Sequence, residues 1–155
     1  MPTTEEAGDY GGNLDLREVG PGATLLLPVQ VENAMLVLGD CHAAQGDGEL
    51  SAAALEMPAR ITLRIDIRRD AQLAGPRIEG KDEIAAIAVA PRLEDAVAMA
   101  YARLAHWLES EWDIDRWQAY SLLTQVGRLS MGYFRLGVVA AKISRRYLGV
   151  ARLGS

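Results

Sequence analysis

The chain has 155 residues, half of them apolar, which is enough for one well-packed domain and too little for two of ordinary size. Its net charge is −5, and its basic residues cluster only at Arg68-Arg69 and Arg145-Arg146, which excludes nucleic-acid binding through a basic surface. No apolar run approaches the roughly 20 residues that cross a bilayer, so we expect no membrane partner.

The beginning of the chain and its single cysteine, Cys41, indicate the compartment. One cysteine excludes an intrachain disulfide and suits a reducing environment. Residues 1–9 are polar and acidic, without the basic and apolar regions of a signal peptide. We therefore expect a cytoplasmic protein with a flexible lead-in over residues 1–12 and a single domain over residues 13–155.

The first half of the chain has the composition of β-structure. Apolar and β-branched residues over 23–31 predict a buried strand, with Pro28 at an edge or bulge, and residues 35–38 are its expected hairpin partner. Glycines and acids interrupt the pattern over 39–49 and predict a loop. Residues 50–56 can then resume a strand.

Two further strands are predicted before the pattern changes. The residues of 61–67 alternate between apolar and polar, the period of a strand with one buried face. Residues 82–90 form a second apolar stretch, which Pro91 ends.

Helical spacing replaces the strand pattern in the second half. Apolar residues recur every three or four positions from Leu93 to near Trp112, which predicts a helix roughly 30 Å long. Asp115 is the expected N-cap of a second helix that stops at Gly127, and the two should form a helical hairpin. For the apolar tail, residues 137–148, the sequence does not decide between a strand and a short helix. Strands followed by helices indicate an α+β fold with a C-terminal helical hairpin.

The loop after residue 39 contains an unusual density of polar side chains. They supply a metal ligand, a base and amide-type hydrogen-bonding groups, and they are Asp40, Cys41, His42, Gln45, Asp47 and Glu49. In extended backbone Asp40 and His42 leave the same face, so both can reach one ion. The alternative is structural, with Gly46, Asp47 and Gly48 as a hairpin turn and His42 bonded to nearby backbone. Spacing alone does not separate the two interpretations.

Other candidate residues carry weaker signals. Asn13 and Asp15 point the same way if their segment is extended, although an ordinary Asx turn explains them equally well. Cys41 beside His42 is more typical of an inert, partly buried thiol than of a nucleophile. His106 is most simply a residue on a helix surface.

Three motifs together resemble the acetamidase/formamidase family. They are Gly11-Gly12-Asn13-Leu14-Asp15, Leu27-Pro28-Val29 and Gly39-Asp40-X-His42-Ala43-Ala44-Gln45-Gly46-Asp47-Gly48-Glu49. Weaker similarity continues through Ala54-Leu55-Glu56, Arg60-Ile-Thr-Leu and Ala119-Tyr-Ser-Leu-Leu. The resemblance covers most of the chain, and the loop motif is specific.

The resemblance implies a β-rich, jelly-roll-like sandwich that hydrolyses carbon–nitrogen bonds of small linear amides such as formamide or acetamide and releases ammonia. It allows a divalent metal, zinc or calcium, and indicates no organic cofactor. Members usually carry a further N-terminal region, so this chain resembles the C-terminal portion alone. It also lacks the family's acidic residue near Arg128 and a later Pro-Asn pair, so the end of the site departs from the family pattern.

A role for each candidate follows from amide chemistry, which requires an activated water and a protonated leaving nitrogen. We expect Asp40 and His42 to hold a divalent ion or orient its water, and Asp47 or Glu49 to transfer the proton. Asn13, Asp15, Gln45 and Gly46 are the expected substrate-binding residues, and Glu56 is a weaker candidate. In a metal-free version, paired carboxylates would activate water directly.

The resemblance also leaves a rival function and a partner open. Without an N-terminal half, the chain is alternatively a non-catalytic or regulatory subunit that completes a larger amidase. An incomplete sheet edge attracts other chains. We therefore expect a homo-oligomer, or a partner chain that supplies the N-terminal half.

Overall fold

The computed structural model describes residues 3–149, and its centre is an antiparallel sheet covered on one face by two helices. The elements in chain order are β1 (Thr24–Leu26), β2 (His42–Ala44), β3 (Leu55–Glu56), β4 (Arg77–Glu79), β5 (Glu83–Val89), α1 (Leu93–Glu111), α2 (Arg116–Val126), β6 (Arg128–Met131) and β7 (Val138–Ser144), with 3-10 turns at Phe134–Leu136 and Arg145–Tyr147. Five strands form the sheet in the order β1-β4-β5-β7-β6, and β2 pairs with β3 in a separate ribbon. The predicted α+β class is confirmed.

The central strands β5 and β7 are buried on both faces of the sheet. Ile84 lies opposite Ile143 and Val89 opposite Val138 along seven paired positions. Because side chains alternate along a strand, Ile84 contacts the helical layer while Ile87 faces the opposite core. A strand with two buried faces reads as a continuous apolar run, which is why 82–90 was recognisable from the sequence.

The two predicted helices are confirmed nearly to the residue. One stripe of α1, including Ala96, Ala100 and Leu104, is fully buried against the sheet. Asp115 caps α2 by accepting hydrogen bonds from the backbone N–H groups of Trp117 at 2.7 Å and Gln118 at 3.1 Å, as an N-cap carboxylate does. The prediction that the helical hairpin lies at the C-terminal end is wrong, because the strands β6 and β7 follow α2.

The tail that the sequence left undecided contains both candidate structures. Residues 138–144 form β7 in the middle of the sheet, and Arg145–Tyr147 form a 3-10 turn. The strands β4 and β6 were not predicted. Each has three or four residues, too few for a period to be visible in the sequence.

The clearest strand prediction, residues 61–67, is wrong for this structure, because the segment has no regular structure and all of its residues are exposed. The predicted strands at 23–31 and 50–56 shorten to β1 and β3, and 35–38 form no strand. The loop predicted over 39–49 contains the short strand β2. An amphipathic strand contributes little stability until another layer covers its apolar face. None of the described residues covers these segments.

The second face of the sheet is covered by the segment that precedes β1. Leu14 and Leu16 are buried against Ile78 and Ile87. Residues 3–6 are exposed, whereas 7–12 are half-buried. The Arg103 guanidinium donates two hydrogen bonds, of 2.8 and 2.7 Å, to the two carboxylate oxygens of Asp9, a bidentate geometry that fixes both partners. The start of the described chain is therefore fastened to α1.

Among the described helices, none combines the length and the apolar character that a membrane span requires.

Candidate active site

The ribbon of β2 and β3 brings three possible metal ligands together. His42 lies opposite Glu56 in the ladder. The His42 Nε2 atom is 3.1 Å from Glu56 Oε1 and 3.4 Å from Asp40 Oδ1. One donor atom from each residue lies within 4.8 Å of the other two. Antiparallel pairing thus joins Asp40 and His42, which are two positions apart, to a carboxylate from the next strand.

The orientation of the His42 ring fits a metal ligand. Its Nδ1 atom lies 3.0 Å from Oε1 of Gln45, and since an amide oxygen only accepts, the shared proton is on Nδ1. The Nε2 atom is buried and makes no hydrogen bond, because with the proton on Nδ1 it is an acceptor, as are its two carboxylate neighbours. A metal-binding histidine characteristically donates its other ring N–H to an acceptor. The orphaned Nε2 atom and the two carboxylates therefore suit a divalent cation.

The charges around His42 favour its protonated form when no metal is bound. The hydrogen bond with Gln45 raises the pKa of the imidazole, burial opposes this, and the nearby Asp40, Glu56 and Glu49 carboxylates raise the pKa further. A negative environment that attracts a proton to imidazole also attracts a cation.

A pair of carboxyl groups lies beside this trio. Glu49 is buried, and its Oε1 atom accepts a 3.1 Å hydrogen bond from the backbone N–H of Ala54. Burial raises the pKa of Asp15 to about 6, and repulsion from Glu49 and Asp40 and a side-chain hydrogen bond with Glu49 contribute to the same shift. Two carboxyl groups joined by a hydrogen bond share a proton, so Asp15 can accept or donate one near neutral pH.

The backbone at the site is held in an uncommon conformation. Asn13, Asp15, Asp40 and Glu49 have φ angles of 45°, 47°, 60° and 44°, in the left-handed region that few side chains adopt. They are four of the seven non-glycine residues of the described chain with positive φ. Such conformations persist where the surrounding structure enforces them, and they cluster at functional sites.

Several contacts attach the loop to the sheet. The Gly48 N–H donates to the Met131 carbonyl at 3.0 Å, and the Gly48 carbonyl accepts from the Phe134 N–H at 3.1 Å. The Gln45 amide nitrogen donates to the Asp15 carbonyl. Asp15 lies between the buried Leu14 and Leu16, so the core of the second sheet face positions the site.

The remaining predicted residues are engaged elsewhere. Asp47 is about half exposed and forms a 2.7 Å ion pair with Arg17. The Asn13 side-chain amide donates to the Glu5 carbonyl at 3.0 Å. Gly46 lies in an open turn in which its carbonyl accepts from the Glu49 N–H. The structure thus joins Asp40, His42, Gln45, Asp15 and Glu49 in one cluster, and places Asp47 and Gly46 at its rim.

Glu56 is a stronger site residue than its sequence position indicates, and Arg17 was not predicted to lie at the site. Glu56 is 14 positions beyond His42, and only the strand register brings the two together. The signals in the sequence were the strand predicted over 50–56 and the family similarity of Ala54-Leu55-Glu56, and β3 itself has only two residues. No pattern in the sequence connects Arg17 to Asp47.

The model of the Acetamidase/Formamidase family matches residues 2–129. A formamidase of Methylophilus methylotrophus is 35% identical over 63 residues, which are 40% of this chain and 16% of that protein.

Solved structures resemble the chain over nearly its full length. An acetamidase from Yersinia enterocolitica is 36% identical with a TM-score of 0.87, over 92% of this chain and 44% of that chain. An acetamidase from Bacillus halodurans is 30% identical with a TM-score of 0.84, over 95% and 52%. This chain therefore spans about half the length of the solved relatives. The family match across residues 2–129 shows that it belongs to the acetamidase/formamidase family.

Proposed function

We propose that the chain hydrolyses the carbon–nitrogen bond of small linear amides, of the size of formamide or acetamide, and releases ammonia. The observation that carries this proposal is the trio of Asp40, His42 and Glu56 around an orphaned imidazole nitrogen. It lies next to Asp15, which is hydrogen-bonded to Glu49 and can hold a proton near neutral pH. Amide hydrolysis requires both an activated water and a proton for the leaving nitrogen.

Asp40, His42 and Glu56 are the residues that would hold a divalent cation. Calcium takes oxygen ligands, whereas zinc is commonly bound by imidazole together with carboxylates, so the nitrogen donor favours zinc. When bound at such a site, a divalent cation lowers the pKa of its water toward about 7 and polarises carbonyl oxygens. Gln45 fixes the His42 ring, which keeps Nε2 directed at the two carboxylates.

The proton moves through the Asp15 and Glu49 pair in this proposal. Glu49 is buried and hydrogen-bonded to Asp15, so it is the better candidate than Asp47, which is exposed and paired with Arg17. The pair would accept a proton from the attacking water and return it to the amide nitrogen, so that ammonia leaves as a neutral molecule. Binding of the amide itself by Asn13, Asp15, Gln45 and Gly46 stays a prediction.

The test measures ammonia released from formamide and acetamide. It uses the chain alone and the chain co-expressed with the part of the Yersinia acetamidase that it does not span. The second preparation is included because the Asp40 and Glu56 side chains are exposed in the chain alone. We expect His42→Ala and Asp40→Asn to abolish release while the far-ultraviolet circular dichroism is unchanged. His106→Ala is the matched control, because His106 is an exposed histidine of α1 paired with Glu109. Wild-type rates in His42→Ala would overturn the proposal.

A second candidate function is a non-catalytic subunit of a larger amidase. It is favoured by the chain's coverage of about half of its solved relatives, and by the exposure of Asp40 and Glu56, 62% and 54%. If neither preparation releases ammonia from a broad panel of amides, this function replaces the first.

The cytoplasmic location also stays a prediction.

A further inference from the structure

Two exposed segments with many apolar residues lie next to the candidate metal ligands. Every residue of 31–40 and of 58–67 is exposed, including Met35 at 89% and Val37 at 76%. Both segments are rich in the branched residues that favour strands, yet neither pairs with another described strand. Monomeric proteins seldom expose contiguous apolar surface of this extent without a binding role.

The ladder of β2 and β3 specifies how the two segments would pair. His42 is opposite Glu56, and the Met57 N–H donates to the Cys41 carbonyl at 3.0 Å. Each step back from His42 is matched by a step forward from Glu56 in an antiparallel ladder. The chain directions are therefore already set for the ladder to continue beyond Cys41 and Met57. We call residues 31–40 and 58–67, paired in this register, the extension ribbon.

The register separates the side chains of the extension ribbon into two faces, because directly opposed residues share a face and successive residues alternate. One face receives the pairs Val31 with Ile67, Asn33 with Ile65, Met35 with Leu63, and Val37 with Ile61. The other face receives Ala34 with Arg64, Leu36 with Thr62, and Leu38 with Arg60. It carries the ribbon's arginines and its threonine beside Leu36 and Leu38, and we call it the polar face. A shift of one position would place Arg60 opposite Val37 and Thr62 opposite Met35, so the sequence supports the register that the structure begins.

The candidate metal ligands lie on the polar side of the same ribbon. Asp40, His42 and Glu56 belong to the set that alternates with the apolar residues. The site and the apolar face are therefore opposite sides of one layer. A two-stranded ribbon is at best marginally stable alone, so a layer packed on its apolar face would also stabilise the metal-binding side.

We propose that the apolar face of the extension ribbon is the docking surface for the half of the acetamidase fold that this chain does not span. The Yersinia acetamidase shares this fold at a TM-score of 0.87, and 44% of its chain is covered. More than half of that chain has no counterpart here, which is ample for a covering layer. This proposal concerns assembly, and it stands or fails independently of catalysis.

The test co-expresses this chain with an affinity-tagged segment of the Yersinia acetamidase that comprises the uncovered part. We expect the two to co-purify in a 1:1 complex by native mass spectrometry. Hydrogen exchange should slow over 31–40 and 58–67 relative to the chain alone. Absence of a complex would overturn the proposal, as would protection confined to other segments or pairing of this chain only with a second copy of itself.

Matched variants on the two faces test the surface itself. Leu63→Asp and Met35→Asp should reduce co-purification about tenfold or more, while their neighbours Thr62→Asp and Ala34→Asp on the polar face should leave it within about twofold. All four positions are exposed in the chain alone, so none of the variants should impair its folding. Equal losses on both faces would contradict the proposed orientation.

A disulfide tests the register. Leu36 and Thr62 form a non-hydrogen-bonded pair in the extension ribbon, with the short Cα separation of about 4.5 Å that a disulfide tolerates. In the complex of a Cys41→Ser chain, Leu36→Cys with Thr62→Cys should oxidise readily, and Leu36→Cys with Ile61→Cys should not. The reverse result would overturn the register.

Discussion

Gln45 accepts a 3.0 Å hydrogen bond from Nδ1 of His42, and this contact determines which nitrogen of the ring faces Asp40 and Glu56. The same Gln45 side chain donates to the Asp15 carbonyl. One residue therefore orients the imidazole and attaches it to the segment that carries the second carboxyl group.

Replacing Gln45 tests this orienting contact. Gln45→Leu removes the acceptor, so we expect zinc affinity to fall by about 10- to 100-fold, the usual effect of losing such a partner. Competition with a chromophoric chelator measures the change. Gln45→Glu keeps an acceptor at the same place and should stay within a few-fold of wild type. Equal losses in both variants would mean that the amide is not orienting the ring.

Glu56 is the ligand that the structure adds to the predicted pair. We expect Glu56→Gln to weaken zinc binding by about tenfold or more, because a charged oxygen donor becomes a neutral one. Asp47→Asn is the matched control, since Asp47 is paired with Arg17 at the rim, and its zinc affinity should be unchanged. Isothermal titration calorimetry distinguishes the two results. Unaltered binding in Glu56→Gln would reduce the site to Asp40 and His42.

The raised pKa of Asp15 predicts a pH-dependent stability. Folding shifts this pKa from 3.8 to about 6, so the folded chain keeps a proton that the unfolded chain loses. The resulting destabilisation is absent below about pH 3.8, grows through the interval, and is complete above about pH 6. Asp15→Asn, which tolerates the same left-handed backbone, should raise the free energy of unfolding by about 1 kcal/mol at pH 7.5 after allowance for solvent screening.

Urea titrations with a chelator present measure this effect. At pH 4 the Asp15→Asn variant and wild type should unfold together. A stabilisation of equal size at both pH values would show that the titration of Asp15 is not its cause.

Glu18 and Lys142 form a charged pair. Its effect on stability changes with pH in the direction opposite to that of Asp15. Burial alone would raise the pKa of Glu18, but hydrogen bonds from Lys142 and Ser130 outweigh it and hold the pKa below its usual value. Its stabilising contribution is therefore present above pH 4.5 and is lost as the pH falls through the lowered folded value. Lys142→Met leaves the half-buried Glu18 carboxylate without its counter-ion and should cost about 2 kcal/mol at pH 7.

The cost of Lys142→Met should shrink as the pH is lowered below 4.5, because a protonated Glu18 no longer needs a counter-ion. Arg92→Met is the control, as its ion pair with Asp95 is exposed and should contribute less than about 0.5 kcal/mol. Chemical denaturation at pH 7 and pH 4 gives both values. A pH-independent cost would indicate packing by the lysine stem.

The elements that the sequence predicted well are those whose stabilising contacts are local or fully contained in the chain. Asp115 caps α2 through its own next residues, and the apolar stripe of α1 meets a sheet that the same chain provides. The segment 61–67 has an equally clear period, but no described residue covers its apolar face. The period of the apolar residues indicates which face of a strand is apolar, and it does not show whether a covering layer is present.

The site was predictable in part for the same reason. Asp40, His42, Gln45 and Glu49 are near in sequence, so their proximity needed only a compact loop. Glu56 and the pairing of Asp15 with Glu49 depend on strand register and on the burial of Leu14, which are properties of the folded chain.

Gly132 shows how the core of the sheet controls the position of Asp15. A Cβ atom at Gly132 would lie 1.9 Å from the Leu14 carbonyl oxygen and 2.8 Å from a Val138 methyl carbon. Backbone atoms cannot move aside cheaply, so Gly132→Ala must displace the segment that carries Leu14 and Asp15. We expect a loss of about 2 to 3 kcal/mol of unfolding free energy, typical of overpacking, together with weaker zinc binding as Gln45 loses its contact with the Asp15 carbonyl. Gly46→Ala is the control in the same site, since no atom lies within 4 Å of the added carbon. Thermal unfolding and zinc titration of both variants should separate them, and equal behaviour would mean that the Leu14 segment does not depend on this close approach.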